Sequence, residues 1–176
     1  MKPAKKLKRR PTAGGWRTYA ATTTAVTATA AIGSKAVNAN SVWYRSLSKP
    51  PWQPPSWTFG LVWTPLYASI AWAGGHALLR ARERHRRALA TSLGLNLLLN
   101  AAWNQLFFGR RSTKAGLAGT VLLDISNADL IRRTAGIDAA AAGALVPYAA
   151  WCAFATALNA DIARRNRQAT AAKQPG

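Results

Sequence analysis

Three sets of side chains recur at helical spacing and could together hold a ligand. Phe59, Trp63 and Tyr67 fall at i, i+4 and i+8, which puts three rings on one helix face. Asn96, Asn100 and Asn104 repeat at the same interval with Trp103 and Phe107 beside them, and Tyr148, Trp151, Cys152, Ala155 and Asn159 share a third face. Rings offer stacking surfaces and amides offer hydrogen bonds, so these residues suit capture of a flat, apolar molecule with few polar atoms. A fourth group lies in VWYRSLSKPPWQPPSWTFGLVWTPLY, where Trp43, Tyr44, Trp52 and Trp57 accompany Arg45 and Lys49. Covalent chemistry finds less support. The sequence carries no hydrolytic triad or phosphate loop, His76 and His85 do not pair at a metal-ligand spacing, and Cys152 is the single cysteine, which excludes an internal disulfide and a cysteine-based metal cluster.

The elements that carry these faces are read from charge. The 176 residues hold 24 Lys plus Arg against 5 Asp plus Glu, a net charge of +19, while mean hydropathy is only -0.06. That average hides a segregation. Residues 18–34, 50–79, 88–109 and 139–160 contain no Lys, Arg, Asp or Glu, and 115–131 holds two Asp only. A membrane-spanning helix needs roughly 20 predominantly apolar residues. The expected fold is therefore all-α, an integral membrane bundle of five transmembrane helices near 18–36, 56–79, 88–109, 114–132 and 138–163. They form one domain over 18–164, with basic tails at 1–17 and 165–176. Unpartnered amides are costly in hydrocarbon, so the asparagine stripe must face the bundle interior. Packing is expected for Asn96, Asn104 and Asn159, and ligand contact for Trp63, Asn100 and Trp151.

The basic runs at 80–87, 110–114, 131–133 and 163–167 sit where helices end. Lipid headgroups attract such charge and hydrocarbon excludes it, and no nucleic-acid-binding motif is present, so the expected partner is the bilayer and not nucleic acid. The basic residues favour a cytoplasmic N-terminus by a narrow margin. The first span, TYAATTTAVTATAAIGS, precedes Val37, Asn38 and Ala39 and also fits a cleaved signal peptide, a reading ranked second. Pro50, Pro51, Pro54 and Pro55 predict a stiff, extended connector with no helix, resuming at Ser56 as N-cap. That stiffness favours a lid over a plain interfacial aromatic belt. Asp124 shares a face with Thr120 and Asn127, which predicts an internally hydrogen-bonded packing role, and Asp129 lies one turn from Arg132 and Arg133, which predicts a helix-end ion pair. The small-residue spacings Ala90 to Gly94 and Ala115 to Gly119 permit close pairing and hence a homodimer.

The stretches WYRSLSKPPWQPP, WTFGLVWTPLY, LLNAAWNQLFF and PYAAWCAFATALNADI, in that order, resemble the signature segments of the TspO/MBR family of tryptophan-rich sensory and translocator proteins. The resemblance frames residues 43–162. It implies a five-helix bundle in a bacterial plasma membrane, with a cavity near the first loop, no covalent cofactor, and a porphyrin or haem as ligand. A planar macrocycle would stack on Trp, with its peripheral carboxylates seeking Lys or Arg at the water boundary. Trp63, Asn100, Trp151 and Ala155 match ligand-contacting positions of the family. Trp43, Tyr44, Trp52, Tyr67, Trp103 and Tyr148 complete the expected site, with Arg45 and Lys49 as candidate carboxylate partners. His76, near a helix end, is not expected to be an axial haem ligand. Ala157 stands where eukaryotic members carry the tyrosine of a sterol-recognition pattern, so tight sterol binding is not expected. The resemblance favours a sensor that binds tetrapyrroles and regulates their metabolism or a stress response. An oxidative porphyrin-degrading enzyme, with Trp63 and Trp151 as redox-active residues, and a transporter are the alternatives.

Overall fold

A computed structural model describes residues 15–171; most of the expected tail 1–17 lies outside them, as do the last five residues of the expected tail 165–176, whose first seven continue the last helix. Six α-helices follow in order: α1 Gly15–Ala36, α2 Val42–Ser46, α3 Ser56–Arg80, α4 Glu83–Asn104, α5 Thr113–Ala135 and α6 Ala139–Ala171. No strand occurs among the described residues. The five long helices close a ring in which α1 packs on α3 and α4, α4 on α5, α5 on α6, and α6 on α3.

The partition of side chains differs from that of a water-soluble bundle. Leu61, Leu95, Leu98, Leu122, Ile125 and Val146 face outward, whereas Asn96, Asn100, Thr120, Asn127 and Asn159 are buried. Hydrocarbon around the bundle explains both halves of this pattern, because apolar surface costs nothing there and amides must find partners inside. On hydropathy alone, one helix among the described residues, Ala139–Arg167, is long and apolar enough to cross a membrane. Threonines dilute α1, Trp, Tyr and Pro65 dilute α3, and asparagines together with a charged first turn dilute α4.

Three local features depart from expectation. The aromatic loop contains a short helix after all: α2 lies upstream of the prolines, and Ser41 Oγ caps it by accepting the Tyr44 N–H at 3.2 Å. Pro55, not Ser56, is the N-cap of α3, its fixed φ of -55° leading directly into the first turn. The run 83–87, expected as a charged loop, forms the first turn and more of α4, because only Ala81 and Arg82 are needed to reverse the chain. The third span also ends unusually. Gln105–Gly109 forms a π-helical turn, with Arg110 N–H donating to Gln105 O (2.9 Å) and Ser112 N–H to Phe107 O (3.2 Å). Such insertions rotate the following side chains and cluster at functional sites.

The tilt of α1 positions the site. At the loop end α1 lies on α4, where a Cβ on Gly33 would stand 3.8 Å from Ala101 Cα and 2.9 Å from Asn104 Nδ2. At the other end it lies on α3, where a Cβ on Gly75 would stand 2.6 Å from Tyr19 Cδ1, and Thr22 Oγ1 donates to Ala71 O at 3.0 Å. The segment also read as a cleaved signal peptide is thus a wall of the bundle. Its tilt leaves two crevices, one between α1 and α3 at the loop end and one between α1 and α4 at the far end.

Candidate functional site: an aromatic cavity under the first loop

A cavity of about 710 Å³ occupies the loop end of the ring, inside the roughly 300–1,000 Å³ range of small-molecule sites. The stripe Phe59, Trp63 and Tyr67 forms one wall. Trp103, Asn104 and Phe107 form the second, and Trp151, Cys152, Ala155 and Asn159 the third. The rings brace one another. Trp63 stacks on Tyr67 (centroids 5.0 Å apart), Trp103 on Phe107 (5.8 Å) and Trp151 on Phe154 (5.0 Å), while Phe59 meets Trp151 edge-on at 5.8 Å. Braced rings present fixed faces, which lowers the ordering cost of stacking a ligand on them.

A hydrogen-bonded network lies beneath. Tyr67 OH donates to Asn100 Oδ1 (3.1 Å), Asn100 Nδ2 donates to Tyr148 OH (3.2 Å), and Tyr148 OH donates to Asn96 Oδ1 (3.0 Å). Asn96 Nδ2 then donates to Asn127 Oδ1 (2.7 Å) and Ser126 Oγ (3.2 Å). The network joins α3, α4, α5 and α6. Asn100 therefore touches the cavity while both ends of its amide serve the floor. Trp103 Nε1 and Asn159 Oδ1 are buried without a hydrogen-bond partner, and both side chains pack against the glycines of α5, with Asn159 Oδ1 3.1 Å from a Cβ on Gly116 and Trp103 Cδ1 3.4 Å from a Cβ on Gly119.

The loop forms the roof. Asn166 on α6 holds it, accepting from Ser48 N–H and donating to Ser48 O, both at 3.0 Å. Tyr44 lines the cavity, its hydroxyl accepting from Gln53 Nε2 at 3.2 Å, and burial raises its phenol above the ordinary value. Lys49 Nζ lies 4.4 Å over the Tyr44 ring, and desolvation lowers its ammonium below the usual lysine range.

Of the residues expected to contact ligand, Tyr44, Trp63, Tyr67, Asn100, Trp103, Trp151 and Ala155 line the cavity. Five do not. Tyr148 is 1% exposed and lies below the floor. Trp43 stands outside the lining with its ring edge-on to Phe107 at 5.4 Å, and Trp52 is 45% exposed with its ring edge-on to Phe154 at 5.8 Å. Arg45 is exposed on α2, and Lys49 sits behind Tyr44 and off the lining. Asn104 and Asn159, expected to serve packing alone, line the cavity as well.

Sequence reasoning missed the α1 wall. Thr27, Ala30, Ala31 and Ser34 line the cavity, and their small side chains gave no signal. Thr27, Ala31 and Ser34 are also exposed on the outer surface, as are Ser56, Gly60 and Thr64 of α3. The cavity thus opens sideways through the α1–α3 crevice, towards the surroundings of the bundle.

Away from the cavity, Asp129 accepts from Arg132 (2.7 Å), Arg133 (2.6 Å) and Ser92 (2.8 Å), as a helix-end ion pair should. Asp124 is held by Thr156 Oγ1 on α6 at 2.6 Å, not by Thr120 or Asn127 on its own helix. Neither histidine faces the cavity. His76 belongs to a cluster at the far end, with Nδ1 3.0 Å from Tyr19 OH and Arg80 in contact with Nε2. Arg80 Nε lies 3.2 Å from Asp138, which caps α6 by accepting the Ala141 N–H at 2.8 Å. Of the two small-residue spacings, Ala115 to Gly119 is used inside the bundle, where a Cβ on Gly119 would meet Leu106 at 3.1 Å.

Comparison with known proteins agrees with this architecture. The TspO/MBR family model matches residues 20–165. The human translocator protein is 34% identical over 139 residues, covering 77% of this chain and 82% of the human one. The tryptophan-rich protein TspO of Chlorobaculum tepidum is 35% identical over 127 residues (72% and 80%), and the tryptophan-rich sensory protein of Cereibacter sphaeroides is 33% identical over 124 (70% and 77%). With the match running from α1 into α6, the chain belongs to the TspO/MBR family, whose members are helical membrane proteins.

Proposed function

We propose that this protein is a receptor of a bacterial plasma membrane that binds a porphyrin or a similar flat tetrapyrrole in the cavity under the first loop, and that occupancy regulates tetrapyrrole metabolism or a stress response. One observation carries the reading: braced indole and phenyl faces on three walls of a cavity of about 710 Å³ whose lining holds few polar side chains, Asn104 among them. The faces suit a planar macrocycle and the sparse polar lining suits its few heteroatoms. The donor set fits the porphyrin ring; no imidazole on the lining would reach an iron. Names among the relatives, sensory protein and translocator protein, agree with ligand capture in a membrane.

Purified protein titrated with protoporphyrin is expected to show saturable tryptophan quenching with a Soret shift at one ligand per chain. Quenching that rises linearly without saturation would sink the assignment. The sideways opening adds a kinetic expectation. A Cβ on Gly60 meets nothing within 4 Å, so Gly60→Trp starts its side chain in open space at the crevice. In vesicles, association and dissociation should both slow by about tenfold while affinity stays within about twofold, as for any narrowed entrance. Unchanged rates would place the entry route elsewhere.

A further inference from the structure

The second crevice, between α1 and α4 at the far end, is a groove of about 400 Å³ on the outside of the bundle. Ala21 and Ala25 form one wall, Ala90 and Gly94 the other, and Leu93 and Leu97 the floor. At its mouth stand Arg17 and Arg86, both exposed. Neither has a carboxylate partner among the described residues. All five acidic residues lie among the described residues, and none is within 4 Å of either guanidinium. Arg17 lies 5.8 Å over the ring of Trp16, which is 67% exposed, as expected of an aromatic anchor at headgroup depth.

Length decides the occupant. From Arg17 to Ala25 on α1 and from Arg86 to Leu97 on α4 the groove runs about 12–17 Å at 1.5 Å per residue. Half of a hydrocarbon core roughly 30 Å thick is about 15 Å. The groove is thus one leaflet deep, apolar along its length and doubly cationic where the headgroups begin. A second copy of the chain would bring two more arginines to the same place.

We propose that this groove binds one anionic phospholipid, an acyl chain lying between α1 and α4 and the phosphate drawn to Arg17 and Arg86. The site is independent of the tetrapyrrole cavity, which lies at the other end of α1. The shape of the groove admits the chain, and the unpaired guanidinium groups select the head.

Native mass spectrometry of the full chain, with equimolar phosphatidylglycerol and phosphatidylcholine, tests this. Wild-type protein should retain one phosphatidylglycerol per chain, preferred by about tenfold or more, the scale set by two arginines near an anionic head. The double variant Arg17→Gln, Arg86→Gln should retain both lipids equally. A Cβ on Gly94 meets nothing within 4 Å, so Gly94→Leu starts its side chain in open space within the groove and should abolish retention with both arginines in place. Glycerol phosphate, a head with no chain, should not compete. Equal retention of both lipids by wild type overturns the proposal even if a variant fails to fold. So does full retention by the folded Gly94→Leu protein, or displacement by glycerol phosphate. Crosslinked dimers that Gly94→Leu abolishes, without lipid preference, would assign the groove to a second copy and likewise overturn it.

Discussion

Replacing both Trp63 and Trp151 with alanine is expected to weaken protoporphyrin binding by about 100-fold, and either replacement alone by about tenfold, since a stacking face on an aromatic side chain contributes roughly 1–3 kcal/mol. The two indoles belong to different helices and different walls, Trp63 braced by Tyr67 on α3 and Trp151 by Phe154 on α6. Two faces that grip one macrocycle from separate walls should contribute nearly additively. The informative control is the other tryptophans. Trp16 and Trp57, 67% and 68% exposed, lie off the lining, so alanine at either should leave affinity within about twofold. Equilibrium titration followed by Soret absorbance checks this without relying on the fluorescence of the residues removed. Equal losses at Trp57 and Trp63 would mean that the porphyrin associates with the aromatic belt and not with the cavity.

The contrast among those tryptophans shows how far the sequence could be read. Helical spacing assigned azimuth correctly: Phe59, Trp63 and Tyr67 share one wall, and Trp151 and Ala155 another. It could not assign depth. Tyr148 lies on the face of Trp151 and Ala155, yet one turn along the axis takes it below the floor, where it bonds Asn96 and Asn100. The asparagine stripe divides in the same way, Asn96 fully buried in the network and Asn104 on the cavity lining. Prolines stopped helix 50–55 as expected but had no hold on Val42–Ser46, which Ser41 could cap. The tilt of α1 was illegible because small side chains set it. Gly33 allows contact with α4, Gly75 allows contact with α3, and both crevices follow from that exchange of neighbours. The grouping of Tyr19, His76, Arg80 and Asp138 drew on three helices, and no spacing within one helix could announce it.

The buried network makes the largest prediction about stability. Asn96 is 0% exposed and makes three side-chain hydrogen bonds, accepting from Tyr148 and donating to Asn127 and Ser126. Asn96→Leu matches the volume and removes all three, leaving the Asn127 oxygen without its donor and the Tyr148 hydroxyl with Asn100 alone. At roughly 0.6–1.7 kcal/mol for each interhelical bond in a bilayer, the loss should be about 2–5 kcal/mol. Asn159→Leu is the matched comparison. Its Nδ2 bonds only Ala155 O on its own helix and its Oδ1 has no partner, so removing it should cost about 1 kcal/mol or less. Denaturant titration of the bundle in mixed micelles, followed by helical circular dichroism, distinguishes the two. Equal, small losses would mean that the unfolded helices satisfy their amides in the membrane as well as the folded bundle does, and that packing against the small faces of α1 holds the ring together. A large loss confined to Asn96 would instead assign cohesion to the network that underlies the cavity. The amide at position 96 would then fix the wall position of Trp63 without itself meeting a ligand, because Tyr148 touches both Asn96 and, edge-on at 6.0 Å, the Trp63 ring.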